Sequence, residues 1–338
     1  MTDVQTQTTT AKDWASDQEV RWCPGCGDYS ILTAIRQMMP DLNVSREDTV
    51  FISGIGCAAR FPYYMNTYGM HSIHGRAPAI ATGLAMSRPD LDVWVVGGDG
   101  DMLSIGGNHL IHALRRNVNI NILLFNNQIY GLTKGQYSPT SEVGKVTKSS
   151  PVGSVDAPFN PISLTLGASA SFVARTHDMD RKHMQAMLKR AHAHQGGAIV
   201  EILQNCNVFN DGAFETITKR ANRDSMLIPL EHGQPIRFGA DQERGVVLDD
   251  AGRAKIAEVA DVGVEALLVH DETDPDPSVA FALSRLANSV TEPTPIGVFR
   301  AVDEVEYIES ANNQIEEARQ ARPADLDALL HSLPTWEV

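Results

Sequence analysis

Four cysteines, Cys23, Cys26, Cys57 and Cys206, are the residues of this sequence best placed to do chemistry, and there are no others. Two of them flank a turn, Cys23-Pro24-Gly25-Cys26-Gly27, which leaves both sulfurs free to face one point, while the other two are isolated and far apart. A chain of 338 residues buries enough core to need no disulfide staples, so the even count says little about bridges. Structural zinc favours two short C-x-x-C knuckles, a pattern the two isolated thiols do not make. Four thiolates gathered by a large fold suit an iron–sulfur cluster, for which four-cysteine ligation is the rule. The spacing thus favours iron–sulfur over zinc, while Cys57 or Cys206 taken singly reads as a small buried hydrophobe.

A second constellation is Gly97-Gly98-Asp99-Gly100-Asp101, which follows an apolar strand and precedes a helix. In that setting a Gly-rich turn brings backbone N–H groups against a phosphate. Its two carboxylates would repel a phosphate unless a hard cation such as Mg²⁺ intervened. Asn126-Asn127 then arrive at the end of the next strand. An Asp, an Asn oxygen, nearby carbonyls and two phosphate oxygens complete an octahedral magnesium shell. Gly-Asp-Gly alone is also an ordinary tight turn; the Asn pair one βαβ unit later gives it weight, because adjacent parallel strands set both turns side by side.

The elements that must position these residues read as α/β. A helix over Ser30 to Met38, capped by Asp28 and closed by Pro40, sets the cysteine turn before a helix N-terminus, where thiolates are favoured. Apolar strands are expected at Thr49–Ile52, Leu91–Val96, Asn119–Phe125, Phe172–Arg175 and Ala198–Leu203. Helices are expected near 77–87, 106–116, 162–169 and 180–194. Near-continuous apolar strands separated by helices imply a parallel sheet covered on both faces. Ligands gather beyond the carboxyl ends of such strands, where Cys57, Asp99, Asn127 and Cys206 all fall. The segment from Asn126 to about Pro161 carries Gly, Ser, Thr and Pro without an apolar period, and a run that long in a compact domain is usually functional.

Beyond about Arg220 the texture changes to short strand candidates (235–238, 245–248, 265–269) and helices (313–319, 324–331), with no cluster that suggests chemistry. The expected organisation is an N-terminal arm over 1–20, a principal domain over 21–220 and a structural or subunit-contacting extension over 221–338. A net charge of −14 argues against a broad nucleic-acid surface and requires any acidic partner to dock on a local basic patch. No apolar run reaches membrane-spanning length, and Met1 to Asp13 lacks a basic segment followed by an apolar one, which reads as a soluble cytoplasmic protein.

Gly98-Asp99-Gly100 with Asn126-Asn127 resembles the thiamine diphosphate signature. Together with Cys-Pro-Gly-Cys-Gly, Gly54-Ile55-Gly56-Cys57 and Asn205-Cys206, it makes the chain from about Arg21 to Phe214 resemble the β subunits of 2-oxoacid:ferredoxin oxidoreductases. Leu203-Gln204-Asn205-Cys206, Phe209-Asn210-Asp211 and the segment Lys134 to Thr140 are most similar to the members acting on 2-oxoglutarate.

The resemblance implies a thiamine-diphosphate-binding fold in which Cys23, Cys26, Cys57 and Cys206 hold one [4Fe–4S] cluster. It implies Asp99, Asn127 and the Ile129 carbonyl as protein ligands of Mg²⁺. Gly100, Asp101, Gly131 and Leu132 would line the diphosphate, with Gly98, Asn126 and Thr133 also in the cofactor site. Ile55, Gly56, Cys57 and Ala58 would run beside the thiamine ring, His74 and Gly75 near the reacting centre, and Arg60 near the substrate carboxylate. His71, His109 and His112 have no such match and read as polar residues of helix or loop.

The implied reaction converts 2-oxoglutarate, coenzyme A and oxidised ferredoxin to succinyl-CoA, CO₂ and reduced ferredoxin, reversibly. Nothing here resembles the pyrimidine-binding domain that supplies the activating glutamate of thiamine enzymes, which implies a companion α subunit, an αβ unit and a paired (αβ)₂ assembly. With no cysteine left for further clusters, electrons would pass straight to the carrier. The rivals are the same machinery on pyruvate or a branched-chain 2-oxoacid, a non-catalytic iron–sulfur electron-transfer module, and a zinc-binding structural protein.

Overall fold

Side chains on the inner strands alternate between two cores, which is why those strands read as unbroken apolar runs. The structure, a computed structural model, describes residues 9–287, 291–322, 324–334 and 336, so the first eight residues of the expected N-terminal arm lie outside it. Its strands are β1 (Thr49–Ser53), β2 (Tyr68–His71), β3 (Asp92–Gly98), β4 (Ile120–Asn126), β5 (Phe172–His177), β6 (Gly197–Leu203), β7 (Leu227–Leu230), β8 (Arg237–Phe238), β9 (Arg244–Leu248), β10 (Ala254–Glu258) and β11 (Thr294–Ala301). Val50 and Ile52 of β1, Val93 and Val95 of β3, and Ile122 and Leu124 of β4 enter one core. Phe51, Trp94, Val96, Leu123 and Phe125 enter the other. Helices Asp28–Met38 and Arg181–Ala193 line the second face and Ala77–Ser87 and Gly107–Arg115 the first, so both faces are dry, as a parallel sheet requires.

Eight strands form one sheet in the order β2-β1-β3-β4-β6-β5-β11-β7, and three form a separate antiparallel sheet, β10-β9-β8. Every neighbouring pair of the large sheet is parallel except β5 with β11. Because β1, β3, β4 and β6 are consecutive neighbours, their carboxyl ends form one rim. From it leave Gly54–Cys57, Asp99–Asp101, Asn127 and Gln204–Cys206.

Several local expectations are corrected. Asp28 does not cap the first helix: Gly27 is the N-cap, no side chain bonds the freed N–H groups, and Asp28 lies buried in the first turn. There burial raises its carboxyl to about 7. Residues 265–269 form a 3-10 turn and a single bridge from Val269 to Pro235 rather than a strand. Strands β2, β7, β10 and β11 were not expected. Of these, β7 and β11 come from beyond residue 220 and extend the large sheet.

A buried ion pair ties that added edge to the centre. Arg175 Nε on β5 lies 2.6 Å from Glu201 Oε2 on β6, both nearly inaccessible. The same guanidinium donates to the Pro295 carbonyl of β11 at 3.4 Å and lies 5.6 Å from the Phe299 ring centre. Removing one partner strands the other charge in a low dielectric, so Arg175→Met is expected to lower unfolding free energy by about 3–5 kcal/mol. Chemical denaturation measures this, and a loss within experimental error would show that the pair is not stabilising the edge.

Candidate active site

One carboxylate organises the rim. Asp101 Oδ1 accepts from the backbone N–H of Ile55 (3.1 Å) and of Gly75 (2.7 Å), joining the loops that follow β1 and β2 to its own turn after β3. His74 Nδ1 also lies 2.7 Å from Asp101 Oδ1, a close contact whose angle falls outside hydrogen-bond geometry. Burial pushes the Asp101 carboxyl above its ordinary value, opposed by these N–H donors and the imidazole. Gly54 must be glycine here, since a Cβ would stand 1.9 Å from Asp101 Oδ2.

The loops enclose a cavity of about 460 Å³. Its wall contains Ile55, Gly56, Cys57, Ala58, His74, Gly98, Asp99, Gly100, Asp101, Asn127, Ile129, Gly131, Leu132 and Thr133. Gly75, Asn126 and Arg60, also expected at the site, are outside that wall. Gly75 reaches it through its N–H to Asp101. Asn126 faces inward, donating to Glu201 Oε1 at 2.7 Å and accepting from Thr140 Oγ1 at 2.9 Å. Arg60 donates from Nε to the Tyr64 hydroxyl at 3.1 Å and is close enough to Cys57 to favour its thiolate.

Asp99 stands fully desolvated, which raises its pKa, although the hydroxyls of Ser138 and Thr140 each donate to its Oδ2 at 2.5 Å. Thr140 has one proton and two acceptors within reach, Asp99 and Asn126, so a chain of contacts runs from Asp99 through Thr140, Asn126 and Glu201 to Arg175. Asn127 accepts from its own loop, Ile129 N–H to Oδ1 at 3.2 Å, and donates from Nδ2 to Gln204 Oε1 at 2.9 Å. Among the described residues no Lys or Arg lines the cavity. A diphosphate placed between Asp99 and Asp101 would therefore need a cation to hold it.

The cysteines come together on the same rim. Gly25 has φ +87° between Pro24 and Cys26, a left-handed conformation that turns Cys26 N–H back to the Cys23 carbonyl at 3.0 Å. A Cβ at Gly131 would lie 3.5 Å from Cys57 Sγ and 3.7 Å from Cys206 Sγ, so both sulfurs border the loop that closes the cavity. Burial pushes the Cys57 thiol up to about 12, with nearby Asp28, Cys206 and Cys23 adding to the effect. Cys26 is raised further by the same causes, burial first and then Asp28, with Cys206 and Cys57 contributing. All four cysteines are free thiols, and of them Cys57 alone reaches the cavity wall. Among the described residues no three His, Cys, Asp or Glu side chains converge closely enough to hold a single ion.

Residues 54–202 match the family described as thiamine pyrophosphate enzyme, C-terminal TPP binding domain. The chain is 45% identical over 190 residues to 2-oxoacid:ferredoxin oxidoreductase 1, subunit beta, of Aeropyrum pernix, covering 56% of this chain and 60% of that one. It is 58% identical over 330 residues to the 2-oxoglutarate oxidoreductase subunit KorB of Mycobacterium tuberculosis, covering 97% of this chain and 88% of that one. The chain belongs to the 2-oxoacid:ferredoxin oxidoreductase β-subunit family. The fold of this β subunit also matches a solved 2-oxoglutarate:ferredoxin oxidoreductase from Magnetococcus marinus with 2-oxoglutarate, coenzyme A and succinyl-CoA bound. The TM-score is 0.78 at 31% identity, over 98% of both chains.

Tyr130, Gln136, Ser138, Thr140 and Gln204 of this β subunit were not singled out from sequence as site residues. Tyr130 and Gln136 line the cavity, bridged to each other as the neck of a small loop. The Tyr130 hydroxyl donates to the Gly100 carbonyl at 2.9 Å, and a Cβ on Gly100 would meet its ring at 2.2 Å. Their sequence signals are the long polar segment 126–161, in which four of them lie, and the segments 134–140 and 203–206 that carry the family resemblance, which hold Gln136, Ser138, Thr140 and Gln204 without assigning them a role. No described helix is long and apolar enough to cross a membrane.

Proposed function

We propose that this chain is the β subunit of a CoA-dependent 2-oxoglutarate:ferredoxin oxidoreductase, converting 2-oxoglutarate, coenzyme A and oxidised ferredoxin to succinyl-CoA, CO₂ and reduced ferredoxin, and the reverse. The observation that carries this reading is that Cys57 stands in the wall of the cavity formed by the Gly98–Asp101 turn and the Asn127 loop, with Cys206 next to it. When bound, thiamine diphosphate supplies the nucleophilic carbon and electron sink for decarboxylation, and an iron–sulfur cluster supplies a one-electron acceptor.

The residues fit both groups. Asp99, Asn127 and the Ile129 carbonyl would hold Mg²⁺, whose charge answers the desolvated carboxylate that burial now drives toward protonation. Gly98, Gly100, Asp101, Gly131, Leu132 and Thr133 would surround the diphosphate, and Ile55 to Ala58 the ring. His74, which lines the cavity with Nδ1 2.7 Å from Asp101 Oδ1, would face the reacting groups. Cys23, Cys26, Cys57 and Cys206 would ligate one [4Fe–4S] cluster. A four-iron cluster takes one thiolate per iron, so its ligands stand further apart than those of one tetrahedral ion. Iron would also bring the raised thiols to their thiolate form.

Residues 21–220 are read as the thiamine and cluster domain, 1–20 as an arm, and 221–338 as structural or subunit-contacting. Exposed Leu326, Leu329, Leu330, Leu333 and Trp336 support the last reading. The companion α subunit would bring the pyrimidine-binding half of the site, in an (αβ)₂ assembly, with Arg60 near the substrate carboxylate. Four unpaired cysteines accord with a cytoplasmic location. Steady-state assays on the purified αβ complex, following coenzyme-A-dependent ferredoxin reduction, test the reading. Higher kcat/KM for 2-oxoglutarate than for pyruvate or branched 2-oxoacids is expected, and the opposite order would refute the substrate.

A further inference from the structure

One buried amide touches both centres. Gln204, 1% exposed, directly follows β6, and its N–H donates to the Asn126 carbonyl at 2.9 Å. Its side-chain Oε1 accepts from Asn127 Nδ2 at 2.9 Å, on the loop of the magnesium site. Its Nε2 donates to Cys26 Sγ at 3.3 Å and to the Asn205 carbonyl. The cysteine turn closes directly onto this side chain, since a Cβ on Gly27 would stand 3.0 Å from Gln204 Cγ.

The amide has only one satisfactory orientation. Turned over, its oxygen would face two acceptors, the Cys26 sulfur as a ligating thiolate and the Asn205 carbonyl, and two donors would meet at Asn127. Asn127 is pinned in turn, because its Oδ1 already takes the Ile129 N–H. With Nδ2 committed to Gln204, Oδ1 is the end of Asn127 available to a cation. At the other end, an N–H donor on a thiolate ligand stabilises the more negative, reduced form of an iron–sulfur cluster and raises its potential.

We propose that Gln204 is a positioning residue shared by the two centres, fixing the ligating end of Asn127 and tuning the cluster through Cys26. The inference rests on the functional reading above. It is tested in the complete αβ holoenzyme with two variants, by EPR-monitored redox titration of the cluster and by retention of magnesium and thiamine diphosphate after desalting. Gln204→Glu keeps an acceptor for Asn127 but places an anionic oxygen against Cys26 Sγ. It is expected to shift the midpoint potential negatively while retaining the cofactor as the wild type does.

Gln204→Leu removes both bonds and is expected to shift the potential negatively and to weaken magnesium binding by about 10–100-fold, the usual cost of losing an outer-sphere partner. Should the leucine variant not fold, the glutamate variant still separates the two effects. The proposal is overturned if the wild type holds both groups and neither variant moves the potential, or if both variants lose both groups together with thermal stability, as a purely structural residue would. A wild-type complex that holds neither cluster nor thiamine would overturn the functional reading itself, and this inference with it.

Discussion

Asp99→Ala protein is expected to emerge from gel filtration in magnesium buffer without thiamine diphosphate, although it remains folded. Asp99 lines the cavity wall and takes its hydroxyl donors on Oδ2, so under the proposed reading its truncation removes a magnesium ligand rather than a support. The loss should therefore exceed the about 10–100-fold that changes to outer-sphere partners cost. Melting should shift little, because deleting a buried carboxyl whose pKa burial has raised removes an unfavourable charge along with two hydrogen bonds. Extraction and quantification of thiamine per β chain is the measurement. Full occupancy in the variant would sink the assignment of Asp99.

Cys206→Ala is expected to separate the two centres. Its sulfur borders Gly131, yet the residue itself is outside the cavity wall. The variant should lose the visible absorbance and EPR signal of the cluster and reduce ferredoxin at background rate, while still binding thiamine diphosphate. Cys57→Ala should lose the cluster as well, but with weaker cofactor binding, since Cys57 belongs to that wall. Anaerobic spectroscopy beside cofactor extraction reads both. A Cys206→Ala protein with an intact cluster would remove Cys206 from the ligand set.

What could be read from the sequence follows from where the physics is local. Strands β1, β3, β4 and β6 are buried on both faces and announce themselves as apolar runs. Strand β2 is exposed along its whole length and gives no such sign. In β11, Pro295 and Gly297, the latter at φ +121°, interrupt a pattern that tertiary pairing with β5 and β7 nonetheless completes. An Asp28 cap fits the local sequence, but the Cys26-Gly27 turn moves the cap one residue earlier, to Gly27, and leaves Asp28 within the helix.

The same division holds at the site. Asp99, Asn127 and the four cysteines lie on turns whose chemistry is visible in a few residues. Ser138 and Thr140 reach Asp99 across 39 and 41 residues through closure of an aperiodic loop, and Gln204 reaches Cys26 across 178. Spacing cannot announce such contacts, because they exist only once the rim of the sheet brings the loops together.

Under the proposed function, a thiamine site and a cluster held on neighbouring strand ends of this one chain operate as a single redox unit. Rapid freeze-quench EPR of the anaerobic αβ complex, mixed with 2-oxoglutarate in the absence of ferredoxin, reads this coupling. The reduced-cluster signal should appear within a turnover in the wild type and be absent in the Asp99→Ala complex. Decarboxylation of 2-oxoglutarate by a wild-type complex whose cluster stays oxidised throughout would show that the two centres are not coupled.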